Sequence, residues 1–216
     1  MKIHVFVADD HAVVRDGLRL LLETQVDIDV VGQAADGREA VRQSLRLRPD
    51  FVIMDIAMPG LNGIEAARQI LGGLPFCKII VLSMYSSKEH IVRALKAGVK
   101  GYVLKESAGS EVIKAIRAVQ GGRRYMSEKI EAQVVDGLEA EEHNDGKGLL
   151  EKLSAREREI LQLVVEGRSS AEIGKILFLS PKTVETYRSR LMSKLDVSDL
   201  PGLVKLAIHE GLIFLE

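Results

Sequence analysis

Five side chains in the first half of the chain have types and positions that could do chemistry: Asp9, Asp10, Asp55, Ser83 and Lys105. Each ends or directly follows a short apolar run. "IHVFVA" (3–8) precedes Asp9 and Asp10, and "FVIM" (51–54) precedes Asp55. "CKIIVL" (77–82) precedes Ser83, and "GYVL" (101–104) precedes Lys105. Three carboxylates brought close together repel one another and resist ionising until a cation neutralises them. Oxygen-only donors suit a hard ion such as Mg²⁺, which keeps several waters and takes one or two carboxylates directly. With an ammonium and a hydroxyl beside them, the set suits phosphoryl transfer: the cations disperse charge on the phosphoryl oxygens while a carboxylate oxygen attacks in line. Asp55 is the preferred nucleophile because it ends the central strand, and an acid directly after four apolar residues is costly without partners. Taken singly, Asp10 reads equally well as a cap for a helix starting near His11. Lys105 alone reads as a solvated strand-end lysine, and Ser83 as a loop cap. The coincidence at four strand ends favours the joint reading.

The elements that must position these groups follow from the hydrophobic pattern. Short apolar runs at 3–8, 28–34, 51–55, 77–83 and 101–105 alternate with amphipathic stretches at 11–24, 37–47, 63–72, 88–98 and 110–120. Five βα units with short connections predict a doubly wound parallel (βα)5 sheet with helices on both faces. Ligands in such sheets bind at the carboxyl ends of the strands, where all five groups fall. Pro59, Gly60 and Gly63 supply a turn after Asp55. No GxGxxG follows the first strand and no GxxxxGK[ST] occurs, which disfavours dinucleotides and P-loop nucleotides.

The chain has 216 residues, of which 46% are hydrophobic, and it lacks Trp. That length accommodates two small domains with aliphatic cores. The stretch "DGLEAEEHNDGKG" (136–148) is acidic and carries almost no apolar periodicity, so it reads as a linker. The expected organisation is a first domain over 1–121, a linker over 122–149 and a second domain over 150–216. A single cysteine, Cys77, excludes an internal disulfide and a cysteine zinc cluster. The apolar runs are far short of the roughly 18 residues of a membrane span, so no membrane partner and a cytoplasmic location are expected. The net charge of −1 specifies no partner.

Residues 150–216 carry helical punctuation. Ser154 with Glu157 and Ser169 with Glu172 are capping boxes. Ser180 is an N-cap with Pro181 at the first helical position, and a fourth helix runs from about Asp199 to His209, stopped by Gly211. This predicts a small all-α four-helix domain. On the third helix, Val184, Tyr187, Leu191 and Leu195 form an apolar stripe, opposite Glu185, Thr186, Ser189, Arg190 and Ser193. A face of short polar groups edged by cations can enter a DNA major groove, although composition alone favours an ordinary solvated helix face.

Residues 1–120 resemble a two-component receiver domain of the CheY type, through "DD" at 9–10, "DIAMPGLNG" at 55–63, Ser83 and "GYVLK" at 101–105. The resemblance implies that Asp55 accepts a phosphoryl group from a phosphohistidine of a sensor histidine kinase. It implies Mg²⁺ held by Asp10, Asp55 and the backbone carbonyl of Ala57, with Asp9 acting through coordinated water. Lys105 would pair with phosphoryl oxygens, Ser83 would swing in to hydrogen-bond one of them, and Tyr102 would be the aromatic switch that turns inward with it. Residues 153–211 resemble the LuxR/NarL-type helix-turn-helix, through "LSAREREILQLVVEG", "EIGKIL" and "LSPKTVETYRSRLMSKL". That resemblance implies base-edge contacts from Glu185, Thr186 and Ser189, and phosphate contacts from Lys182, Thr183, Arg188 and Lys194. Tyr187 and Ser170 depart from the histidine and asparagine common in the family. The whole resembles a NarL/FixJ-type response regulator: a non-enzymatic phosphoacceptor that binds double-stranded promoter DNA, as a homodimer when phosphorylated. Two rivals remain open at this level. A haloacid dehalogenase-type phosphohydrolase also uses an Asp after a strand, but wants a second Asp where Ala57 stands; a pseudo-receiver would bind partners without being phosphorylated.

Overall fold

The strand Phe51–Asp55 is buried at every position, which is the pattern of a strand covered on both faces. A computed structural model of the chain describes residues 2–131 and 149–213. The chain divides into two units, Met1–His143 and Asn144–Glu216.

In the first unit, β1 (Ile3–Ala8), β2 (Ile28–Ala34), β3 (Phe51–Asp55), β4 (Lys78–Ser83) and β5 (Gly101–Leu104) alternate with α1 (Ala12–Glu23), α2 (Gly37–Leu47), α3 (Gly63–Gly73), α4 (Lys88–Lys96) and α5 (Ala108–Gln120). All strand pairs are parallel. The sheet order is β2-β1-β3-β4-β5, closed beyond β5 by a sixth strand, β6 (Tyr125–Met126), with β3 inside and Asp55 at its carboxyl end. Inward residues on one face, including Val5, Val7, Ile53, Ile80 and Val103, pack with Leu18 and Leu22 of α1 and Val112, Ile116 and Val119 of α5. Strand alternation sends Phe6, Val52, Met54 and Val81 to the other face, and all four are buried.

Two features differ from the pattern expected of the sequence. Lys105 lies just past the fifth strand, which ends at Leu104, and opens a short 3-10 turn, Lys105–Ser107. The sixth strand, β6, also lies inside the segment expected to be linker. Residues 125–131 thus belong to the first unit, with Ile130 fully buried. A two-residue strand is too short to show alternation, which is why its sequence gave no strand signal. Residues 132–148 of the expected linker lie outside the described residues.

The second unit opens with a 3-10 turn, Leu149–Lys152, followed by α6 (Ala155–Val165), α7 (Ser170–Leu177), α8 (Pro181–Leu195) and α9 (Leu200–His209). Both capping boxes form: the Ser154 and Ser169 hydroxyls accept from Glu157 and Glu172 N–H, and each glutamate accepts from its serine's N–H. Ser180 caps α8, with Pro181 in its first turn, and Asp199 caps α9. The core gathers Leu150, Ile160, Leu161, Ile173, Val184, Leu191, Leu195 and Leu203, with Tyr187 packed at its edge. The turn between α7 and α8 is tight. A Cβ at Gly174 would stand 2.6 Å from the Leu179 carbonyl oxygen, so only glycine fits there without movement. Among the described residues, no helix is long and apolar enough to cross a membrane.

Candidate functional site

Asp55 is delivered to the sheet edge by a strand with no freedom to shift, and the turn after it is equally constrained. Asn62 caps α3 by accepting from the N–H groups of Ile64 and Glu65, at 3.1 and 3.0 Å. Gly63 begins that helix against the strand: a Cβ there would lie 1.9 Å from the Asp55 carbonyl oxygen. Gly60, at φ 75°, occupies the left-handed region that glycine adopts readily.

Around Asp55 the structure brings together four of the five sequence candidates. The Lys105 Nζ stands 2.8 Å from Asp9 Oδ2 and 2.8 Å from Asp55 Oδ2. Both carboxylates are 1% exposed, so this ammonium bridges two buried acids. Asp10 completes the group from an exposed position. Burial, then the nearby Asp9 charge, push the Asp55 carboxyl up to about 6 despite the lysine. Burial works against the charge on Lys105, but the Asp55 and Asp9 carboxylates together outweigh it and hold the ammonium above its ordinary value. Ala57 lies beside the acceptor, its N–H donating to Asp55 Oδ1 at 3.3 Å.

Two members of the cluster were not singled out from the sequence. His11 places Nδ1 2.7 Å from Asp10 Oδ1 and 3.2 Å from Asp9 Oδ1, and its own N–H donates to Asp9 Oδ1 at 2.9 Å. His11, not Asp10, is the N-cap residue of α1, with no side-chain cap bond. The adjacency "DDH" was the available signal. Arg15, one turn into α1, donates to the Asp9 carbonyl at 2.6 Å.

Ligand atoms of Asp9, Asp10, His11 and Asp55 all lie within 4.8 Å of one another. Carboxylate oxygens dominate this donor set, and like-charge repulsion at Asp55 is left partly unrelieved. Both facts fit a hard divalent cation.

The fifth candidate, Ser83, is fully buried, and its Oγ accepts from the Tyr85 N–H at 3.0 Å. Tyr102 is also fully buried, with its hydroxyl donating to the Tyr85 carbonyl at 2.7 Å. Burial raises its phenol above the ordinary range. The inward-turned orientation is therefore the one present here. A cavity of about 200 Å³ adjoins these groups, with Ser83, Ser86, Lys105, Glu106 and Lys129 among its lining residues.

On α8, Lys182, Glu185, Thr186, Ser189, Arg190 and Ser193 are exposed, while Val184, Leu191 and Leu195 are buried, as the helical projection requires. Thr183 is engaged at the cap, its hydroxyl 2.7 Å from the Ser180 hydroxyl. The Thr186 hydroxyl donates back to the Lys182 carbonyl at 3.0 Å, leaving its lone pairs outward. Arg188 donates to the Ser170 hydroxyl at 3.2 Å, joining α8 to α7. Lys194 is exposed, and its Nζ stands 2.7 Å from Glu157 Oε2 on α6. That pair, with the Ser154 cap bonds, outweighs desolvation and holds the Glu157 carboxyl below its ordinary value.

Residues 5–117 match the family described as response regulator receiver domain, and residues 151–207 match bacterial regulatory proteins of the luxR family. The transcriptional regulatory protein LiaR of Bacillus subtilis is 42% identical over 199 residues, 91% of this chain and 92% of that protein. The oxygen regulatory protein NreC of Staphylococcus haemolyticus is 38% identical over 97% of this chain and 98% of its own length. Among solved structures, RcsB from Salmonella enterica serovar Typhimurium, bound to a promoter in the presence of the phosphomimetic BeF3⁻, aligns at TM-score 0.61. Its identity is 30%, over 95% of this chain and 98% of that one.

Proposed function

Because the chain belongs to the response regulators, transcriptional regulators that join a receiver domain to a LuxR-type DNA-binding domain, we propose that it accepts a phosphoryl group on Asp55 from a sensor histidine kinase and, so modified, binds promoter DNA as a dimer. The observation that carries this reading is the Lys105 ammonium set 2.8 Å from both buried carboxylates, Asp9 and Asp55. Asp55 is thereby aimed, and a cation already stands where phosphoryl charge would arrive.

In the proposed step an Asp55 carboxylate oxygen attacks phosphorus in line. The new O–P bond forms as the N–P bond to the kinase imidazole breaks, and that nitrogen takes a proton from solvent. Lys105 moves its pairing from carboxylate to phosphoryl oxygen, and Ser83 supplies a hydrogen bond to another. Asp10, Asp55 and the Ala57 carbonyl, with Asp9 through water, would hold Mg²⁺, which supplies positive charge beside the phosphoryl oxygens. The protein is a stoichiometric acceptor, not an enzyme acting on a separate substrate. A sensor histidine kinase and promoter DNA as partners support a cytoplasmic location. The receiver spans 1–121 with the added strap to residue 131, and residues 150–216 form the DNA-binding domain.

Glu185, Thr186 and Ser189 form the exposed centre of α8 and meet base edges. Lys182, with Thr183 and Arg188 near the helix start and flank, meets phosphate. Lys194 contributes less to phosphate contact, being paired with Glu157. Selecting genomic fragments on the full chain, with and without a small phosphodonor and Mg²⁺, tests the whole reading. A defined set of fragments enriched only with phosphodonor, and lost in Asp55→Asn, supports it. The same enrichment in Asp55→Asn overturns it.

A further inference from the structure

Lys105 is bracketed on both sides by a segment that lies beyond the matched receiver region, which ends at residue 117. In the β5–β6 ladder, Tyr125 N–H donates to the Lys100 carbonyl at 3.1 Å and Ser127 N–H to the Tyr102 carbonyl at 3.0 Å. The next β5 donor facing that side is the N–H of Leu104, a residue only 5% exposed. β6 has already ended, so no backbone carbonyl continues the ladder. The Ser127 hydroxyl replaces it: Leu104 N–H donates to Ser127 Oγ at 3.2 Å, and Ser127 Oγ in turn donates to Glu111 on α5. Leu104 is 5% and Ser127 2% exposed, so the Leu104 N–H and the Ser127 hydroxyl would each lose a buried partner without the other.

A second tie lies on the other side of the lysine. Lys129 Nζ stands 2.6 Å from Glu106 Oε1, and both residues line the cavity next to Ser83 and Lys105. Leu104 is thus held by residue 127 and Glu106 by residue 129, with Lys105 between them. The strap itself is fixed below by fully buried Ile130 and by the N–H groups of Ile130 and Glu131, which donate to the Ser127 carbonyl at 2.8 and 3.1 Å.

We infer that Ser127 is a positioning residue for phosphoryl transfer, acting through the Leu104 N–H to hold Lys105 over Asp55, with Lys129 as its weaker companion. This rests on the reading of Asp55 as phosphoacceptor. Lys105 sits in a 3-10 turn and not within the sheet, so strand pairing alone does not fix its backbone. Displacing a catalytic cation by a fraction of an ångström is enough to slow transfer markedly.

The test times Asp55-dependent mass gain in the full chain with Mg²⁺ and acetyl phosphate. The variants are Ser127→Ala, Ser127→Thr, Lys129→Ala and Lys105→Ala, with the first and third also made on Lys105→Ala. Ser127→Ala is expected to slow the reaction about tenfold, with Thr restoring most of the rate because it keeps the hydroxyl. Lys129→Ala, at an exposed site that leaves the core untouched, is expected to slow it about threefold. On the Lys105→Ala background both effects should fall below about twofold, because residues that act through one group are not additive. A wild-type rate in Ser127→Ala overturns the inference, as does an equal fold-loss with and without Lys105, which would mean a structural role only. No Asp55-dependent gain in the unmodified chain overturns the phosphoacceptor reading itself, a distinguishable result.

Discussion

Ser83 and Tyr102 hold opposite sides of the same backbone residue. The Ser83 hydroxyl accepts from the Tyr85 N–H, and the Tyr102 hydroxyl donates to the Tyr85 carbonyl. A hydroxyl drawn from Tyr85 toward a phosphoryl oxygen would release one half of that clasp while the tyrosine kept the other. The loop after β4 would then be freer to move, and a shift in its population would carry the signal.

Tyr102→Phe keeps the buried ring and deletes the donor to Tyr85. Losing this buried hydrogen bond should cost the first unit about 1 kcal/mol. The denaturant midpoint of that unit measures it, and an unchanged midpoint would mean the clasp carries no stability.

Gly63→Ala should be among the most damaging single-methyl changes in the chain. The new Cβ would meet the Asp55 carbonyl oxygen at 1.9 Å, so β3 and α3 must separate. A loss of about 3 kcal/mol is expected, together with slower phosphorylation because the acceptor's strand end moves. Thermal unfolding and phosphodonor kinetics on the same sample check both.

Much of this arrangement was legible in the letters. Strands 3–8, 28–34 and 51–55 coincide with β1, β2 and β3 because each is an apolar run ended by a turn or acid. Both capping boxes were readable because they need only local spacing. Ser127 and β6 were not, since their role depends on a ladder donor 23 residues earlier. The inward state of Tyr102 and the Lys194–Glu157 pair were hidden for a related reason: the pattern along one strand or helix gives direction on that element, not what a neighbouring element offers. His11 offered the plainest overlooked signal, directly after two acids.

On α8, Thr186→Ala with Ser189→Ala should weaken binding to a selected site by about 1–3 kcal/mol while leaving non-specific binding nearly unchanged. Lys182→Ala should weaken all DNA alike and reduce the salt slope by about one. Lys194→Ala should leave the slope close to wild type and instead lower the stability of the second unit. Salt titrations of binding distinguish the three.

His90 gives the first unit a pH dependence with a defined sign. Burial, then the neighbouring Arg93 charge, pull its imidazole down to about 4, against a weaker opposite pull from Glu89. Ser87 faces it at 2.5 Å. A folded value below the unfolded 6.5 means that the contribution is complete above about 6.5. It is lost as pH falls through 4, by at most about 3 kcal/mol. Denaturant midpoints between pH 7.5 and 4.5 should therefore fall less steeply in His90→Gln than in the unmodified chain. Parallel curves would contradict this assignment.

The most direct measurement is intact mass after incubation with a small phosphodonor and Mg²⁺, beside Asp55→Asn treated identically. One phosphoryl group of added mass in the unmodified chain, and none in the variant, is the predicted result. Equal gain in both, or gain in neither, would contradict the assignment of Asp55 as the acceptor.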